Sequence, residues 1–161
     1  MKNKLLILFC LGGALLGSIN AQTNKQLAKD FGLSIVQSFF DGNCDYMFDN
    51  LDVNITSIEG GHKIAITDKM RKLFCSESPL RADIELTYTM YEENYAPKIY
   101  DMNELAQKYP EWQAHLNLEK GDFFFDGAHP AAAGNIRLFT AGDMARFALR
   151  KINGDWKIIA I

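Results

Sequence analysis

The sequence predicts an α+β fold, a single small domain in which helices precede and interrupt a set of strands. Three observations carry this. Apolar residues between Gln26 and Asp41 recur at helical spacing, residues 83–90 alternate with the period of a strand, and Asn153-Gly154 is a hairpin turn between two apolar segments.

The first stretch is read as a targeting segment. Lys2 and Lys4 give a positive start, Leu5 to Leu16 is apolar apart from Gly12 and Gly13, and Gly17, Ser18, Asn20 and Ala21 supply small or polar residues before a cut. This is the pattern of a cleavable secretory signal, residues 1–21, with cleavage between Ala21 and Gln22. The apolar core is shorter than the roughly 20 residues a membrane-spanning helix needs, so no membrane insertion is expected after cleavage. Cys10 follows Phe9 and lies inside the apolar core, which does not fit a lipid-processing site. The expected destination is export, either periplasmic or extracellular.

Removing 21 of 161 residues leaves 140, enough for one domain and one core. It also leaves 15 basic residues against 20 acidic ones, a net charge of −5 instead of −3. An acidic chain without a basic run excludes nucleic acid and anionic membranes as expected partners. Of the three cysteines, Cys44 and Cys75 remain, and in an oxidising compartment such a pair reads as a disulfide.

Leu27, Phe31, Ile35, Val36, Phe39 and Phe40 share one helical face between Gln26 and Asp41, and Gly42-Asn43 suits the helix end. Asp45 is expected to cap a short helix through Leu51 that buries Met47, Phe48 and Leu51. Val53, Ile55 and Ser57 alternate with Asn54, Thr56 and Ile58, and Gly60-Gly61 predicts a hairpin into residues 62–66. Thr67 is the expected N-cap of a helix from Asp68 to Phe74. Beyond Pro79, Ile84, Leu86, Tyr88 and Met90 face one way and Asp83, Glu85, Thr87 and Thr89 the other, which predicts a strand in a sheet with one dry face.

Residues 92–134 read as a lid or an insertion dense in aromatics. Asp101 and Glu104 have capping-box spacing before a helix to about Tyr109, and Pro110 opens a further helical turn with Trp112 and Leu116. Strands are predicted over 123–125, 136–140, 144–152 and 156–161, the last two joined at Asn153-Gly154.

This order of elements resembles the nuclear transport factor two-like superfamily, also called SnoaL-like or ketosteroid-isomerase-like, a cystatin-like cone fold. The resemblance rests on Ile35–Asn54 (IVQSFFDGNCDYMFDNLDVN), Glu59–Phe74 (EGGHKIAITDKMRKLF) and Arg146–Ile161 (RFALRKINGDWKIIAI). It implies a curved antiparallel sheet wrapped around the long N-terminal helix, an interior open to a small apolar ligand, and a homodimer formed through the sheet.

Enzymes of that class work with a carboxylate, or an Asp/His pair, buried in the cone. Asp126 and His129 are the candidate pair here, and Tyr88 the candidate donor to an oxyanion. Asp126-Gly127-Ala128-His129-Pro130 also resembles the D-x-x-H-P segment of GDSL-type esterases. The chain contains neither that family's Gly-Asp-Ser segment nor a G-x-S-x-G elbow, so the motif reads as a polar loop. His62, His115 and His129 lack the spacing of a metal site, and no phosphate-binding glycine loop is present, so neither metal nor cofactor is expected. Arg137, Arg146, Arg150 and Lys151 read as the solvated face of a sheet.

The function expected from these readings is that of an exported, non-catalytic domain binding a small apolar molecule or a protein partner. A cofactor-free lyase or isomerase with a carboxylate in the cone is the alternative, and a structural dimerisation module the third.

Overall fold

The computed structural model describes residues 4–76, 88–89, 91, 95–127 and 145–161, with side chains from residue 22 onwards except at 73, 74 and 76. The helix expected over 26–41 is the C-terminal part of a longer one, α1 (Lys4–Phe40). It stops at Gly42, whose φ of 72° lies in the left-handed region that glycine adopts without steric cost. The N–H groups of Gly42 and Asn43 then donate to the carbonyls of Phe39 and Ser38.

The next helix, α2 (Cys44–Asp49), is capped differently from expectation. Asn43 is its N-cap, Asp45 lies in the first turn, and Leu51 already opens a strand, β1 (Leu51–Thr56). β1 pairs with β2 (Lys63–Ile64) across a loop closed by the Ser57 N–H to His62 carbonyl bond, with Gly61 at φ 63°. In α3 (Asp68–Ser76) the expected cap is present, Thr67 Oγ1 accepting the Met70 N–H at 3.2 Å.

The strand expected over 83–90 lies mostly outside the described residues, but Tyr88 and Thr89 have helical backbone, as does Tyr91. The N–H of Tyr95 donates to the Tyr91 carbonyl at 2.9 Å. Tyr88, Tyr91 and Tyr95 are spaced by three and four residues, and their rings follow one another at 5.9 and 5.2 Å. Helical spacing of the aromatics therefore prevails over the alternating pattern upstream.

A strand the sequence did not announce, β3 (Lys98–Asp101), leads directly into α4 (Met102–Lys108) and α5 (Pro110–Leu116). The capping box is complete: Asp101 Oδ1 accepts from the Asn103 and Glu104 N–H groups, and Glu104 Oε2 accepts from the Asp101 N–H. Then come β4 (Phe123–Asp126), β5 (Arg146–Ile152) and β6 (Asp155–Ala160). Asn153 and Gly154 both take positive φ in the β5–β6 turn, as a type I′ hairpin requires. The strand expected over 136–140 lies outside the described residues.

Among the described residues the sheet has six strands in the order β2-β1-β6-β5-β4-β3 and is not closed. It is mixed, not antiparallel throughout, because β1 pairs with β6 in parallel. The two strands lie far apart in the chain, at Leu51–Thr56 and Asp155–Ala160, so no tight turn fixes their relative direction.

The centre of the sheet is covered on both faces, where the sequence suggested one dry face. In β4 all four residues are buried: Phe123 and Phe125 pack towards α1 with Ile35, Val36, Phe147 and Leu149, whereas Phe124 packs towards α4 and α5 with Leu105, Leu116 and Ala148. Gly32 permits the close crossing of α1, since a Cβ there would stand 2.2 Å from the Phe125 ring.

Candidate functional site

β4 and β5 carry a matched set of charges on the face turned towards α4 and α5. Their register places Asp126 opposite Arg146 and Phe124 opposite Ala148. One rung further along, Asp122 meets Arg150. Arg150 grips Asp122 with two bonds, Nε to Oδ1 at 2.9 Å and Nη2 to Oδ2 at 2.6 Å. The Glu119 N–H also donates to Asp122 Oδ2, at 2.8 Å. The bonds to Asp122 first, and then its charge, raise the Arg150 pKa, so the guanidinium stays charged. The arginines expected to form a solvated strip are thus ion-paired at 146 and 150, while Arg137 lies outside the described residues.

Asp126, the acid nominated from the sequence, is fully buried. Its Oδ1 accepts from Arg146 Nε at 3.1 Å, and the Tyr109 hydroxyl stands 3.5 Å from Oδ2. Arg146 in turn lies over the Trp112 ring, 5.5 Å from its centre. The Tyr109 pKa is raised, by burial first and by the Asp126 charge second, so its hydroxyl keeps its proton. Each oxygen of the carboxylate therefore faces a donor, and the arrangement clamps two strands and a helix end together.

The other sequence candidates are not brought to this acid. Tyr88 is half-buried in the cluster on the α1 side of the sheet, its ring 5.9 Å from that of Phe40. The Asp126 side chain projects to the opposite face, with Phe124. His129 lies outside the described residues. His115 Nδ1 is 3.3 Å from the Ile58 carbonyl and His62 is exposed. Among the described residues no group of three His, Cys, Asp or Glu side chains converges as a metal would require. Cys44 and Cys75 form the expected disulfide, their Cα atoms 5.5 Å apart, joining α2 to α3. Arg71 reinforces that junction by bonding Asp45 at 2.7 Å and Asp49 at 3.0 Å.

Two open grooves flank the β3 side of the molecule. One, of about 590 Å³, runs along β3 between Lys29 of α1 and Lys108 of α4. The other, of about 540 Å³, lies between Gln22–Lys25 and Met102–Asn103, with Phe123 on its floor. Lys29, Lys98 and Lys108, which line the first, were not singled out by the sequence because only the fold assembles them. No helix among the described residues is long and apolar enough to cross a membrane.

These features define an α+β protein with a mixed, doubly covered sheet and outward-facing grooves. Comparison with protein-family models, curated proteins and solved structures finds no match to the chain.

Proposed function

We propose that this protein is an exported, non-catalytic binding domain of the nuclear transport factor two-like kind, and that it binds a protein partner at its surface. The observation that carries this reading is the filling of the space between α1 and the sheet. Phe123, Phe125, Phe147, Leu149 and Met47 are all buried there. An apolar ligand or a proton-shuttling carboxylate would need that space. The buried acids on the other face, Asp122 and Asp126, hold arginines, which supports a structural role for both. The succession of long helix, short helix, hairpin, third helix and terminal Asn-Gly hairpin supports the cone-fold kinship. The disulfide is consistent with the oxidising destination that the signal segment implies.

Photo-crosslinking side chains placed one at a time at Gln107, in the groove along β3, and at Asn103, in the other groove, of the full chain expressed in its own host, test this. A discrete protein adduct is expected, with no saturable uptake of an apolar dye such as N-phenylnaphthylamine by the folded protein. Saturable one-to-one dye uptake, without any protein adduct at either groove, would overturn the reading.

A further inference from the structure

The groove beside β3 has the chemistry of a strand-docking site. Pro97, Lys98, Ile99 and Tyr100 all line it. Successive side chains of a strand point to opposite faces, so four consecutive residues share a groove only where it runs along the strand's edge. Among the described residues β3 is an edge strand, bonded to β4 alone. The Asp101 N–H turns away from β4, donating to Glu104 Oε2 at 2.8 Å. By the alternation of an antiparallel ladder, the N–H and C=O of Ile99 turn the same way, into the groove.

Charge lines both flanks of this edge. Lys29 stands on the α1 side, and Lys108 and Lys98 on the α4 side, Lys98 sharing the parity of Tyr100. Among the described residues none of the three makes an ion pair. The acid among the lining residues, Glu104, is already held by Lys25 at 2.5 Å and by the Asp101 N–H. Lys108 also lies over the Tyr100 ring, 5.3 Å from its centre. The Lys108 pKa is raised, with Tyr100 the first cause, and the buried Tyr100 hydroxyl makes no hydrogen bond of ordinary geometry among the described residues.

We propose that this edge docks an extended acidic segment of a protein partner, which adds to the sheet beside β3 and sets carboxylates against Lys29 on one side and Lys98 and Lys108 on the other. The proposal rests on the binding-domain reading and names its partner's chemistry. A second copy of this chain is the wrong occupant, because two such edges would bring lysines against lysines. Pro97 and Lys98 are the residues that guard an edge against self-pairing. The same lysines attract an acidic strand, whose backbone supplies an acceptor to the Ile99 N–H and a donor to its C=O. A lipid or polysaccharide could answer the charge but not the strand edge.

The test uses the full chain, isotope-labelled for NMR, and an eight-residue probe of valine and threonine with two adjacent central glutamates. Adjacent residues of a strand face opposite ways, so one glutamate reaches each flank. Addition of the probe is expected to shift the Ile99 amide proton downfield, saturably, with Lys29 and Lys98 responding. Replacing both glutamates by lysine, or N-methylating the consecutive central amides so that neither edge of the probe can pair, is expected to weaken binding at least about tenfold. Lys98→Glu and Lys108→Glu are each expected to weaken it about fivefold, with the rest of the spectrum unchanged. Binding by the N-methylated or the lysine probe as tight as by the original overturns the proposal, as does absence of any saturable shift at millimolar probe. A crosslinked protein at the other groove, with Ile99 silent, removes this docking site and leaves the binding-domain reading standing. Dye uptake without an adduct removes the reading itself.

Discussion

Replacing Asp126 by alanine leaves the Arg146 guanidinium beside an empty site in a buried corner, and the cost can be worked from the geometry. The carboxylate is fully buried, whereas the Arg146 side chain is 30 % exposed. Removing one partner of a buried pair costs about 3–5 kcal/mol, and the exposed part of Arg146 lets water recover some of that, so about 3 kcal/mol is expected. Asp126→Asn keeps an acceptor for Arg146 Nε and loses the charge, at about 1–2 kcal/mol. Arg146→Met is the harsher change, because it leaves the buried carboxylate with the Tyr109 hydroxyl as its remaining partner in the pair's corner; about 4 kcal/mol is expected. The double variant Asp126→Leu, Arg146→Met removes both charges and should return to within about 1 kcal/mol of the parent. Urea unfolding followed by tryptophan fluorescence measures all four, since Trp112 sits against Arg146. A loss below about 1 kcal/mol for Asp126→Ala, or a double variant no better than the worse single one, would refute the clamp.

The Cys44–Cys75 bridge closes a loop with a sequence separation of 31, for which chain entropy gives about 3.7 kcal/mol; unfolding with and without reductant should differ by that order, and a difference under about 1 kcal/mol would count against it. Gly32→Ala should destabilise by about 1–3 kcal/mol despite alanine's better helix propensity, because the new Cβ meets the Phe125 ring; a gain in stability would contradict the close crossing. Asp101→Ala dismantles the capping box and should cost about 1 kcal/mol in the same denaturation assay, with no change meaning that the cap is idle. Tyr109 holds its proton to higher pH folded than unfolded. Its contribution is complete below about pH 10, the ordinary phenol value, and is lost as pH rises through the folded value. Tyr109→Phe should flatten that alkaline loss, and a tyrosinate absorbance titration showing Tyr109 ionising with the exposed phenols would contradict it.

Helix ends and tight turns were legible because their causes lie within a few residues. Gly42, Thr67, the Asp101–Glu104 box, Pro110 and Asn153-Gly154 all stand where the sequence places them. β3 was not legible, since Lys98-Ile99-Tyr100-Asp101 is too short to display a period. Tyr88 belongs to two patterns at once, the alternation of residues 83–90 and the three-and-four spacing to Tyr91 and Tyr95. Packing against Phe40 joins it to the second. The run Phe123-Phe124-Phe125 did hold a usable signal, because uninterrupted apolar residues in a strand mark a sheet covered on both faces.

The candidate site was harder to read, for reasons of register and distance. Asp122, Phe124 and Asp126 mirror Arg150, Ala148 and Arg146, but the match is visible only once β4 and β5 are aligned. A tight turn would have fixed that alignment; the long connection between Gly127 and Ala145 does not. Lys29, Lys98 and Lys108 share no local pattern at all and meet only because α1, β3 and α4 border one groove. Net charge misleads here in a specific way. A value of −3 sums the whole chain, and it bears on polyanions that engage a large surface. It has little bearing on a short acidic strand, which meets only the charges within about 8–10 Å of its own, and along β3 those are Lys29, Lys98 and Lys108 beside a Glu104 already held by Lys25.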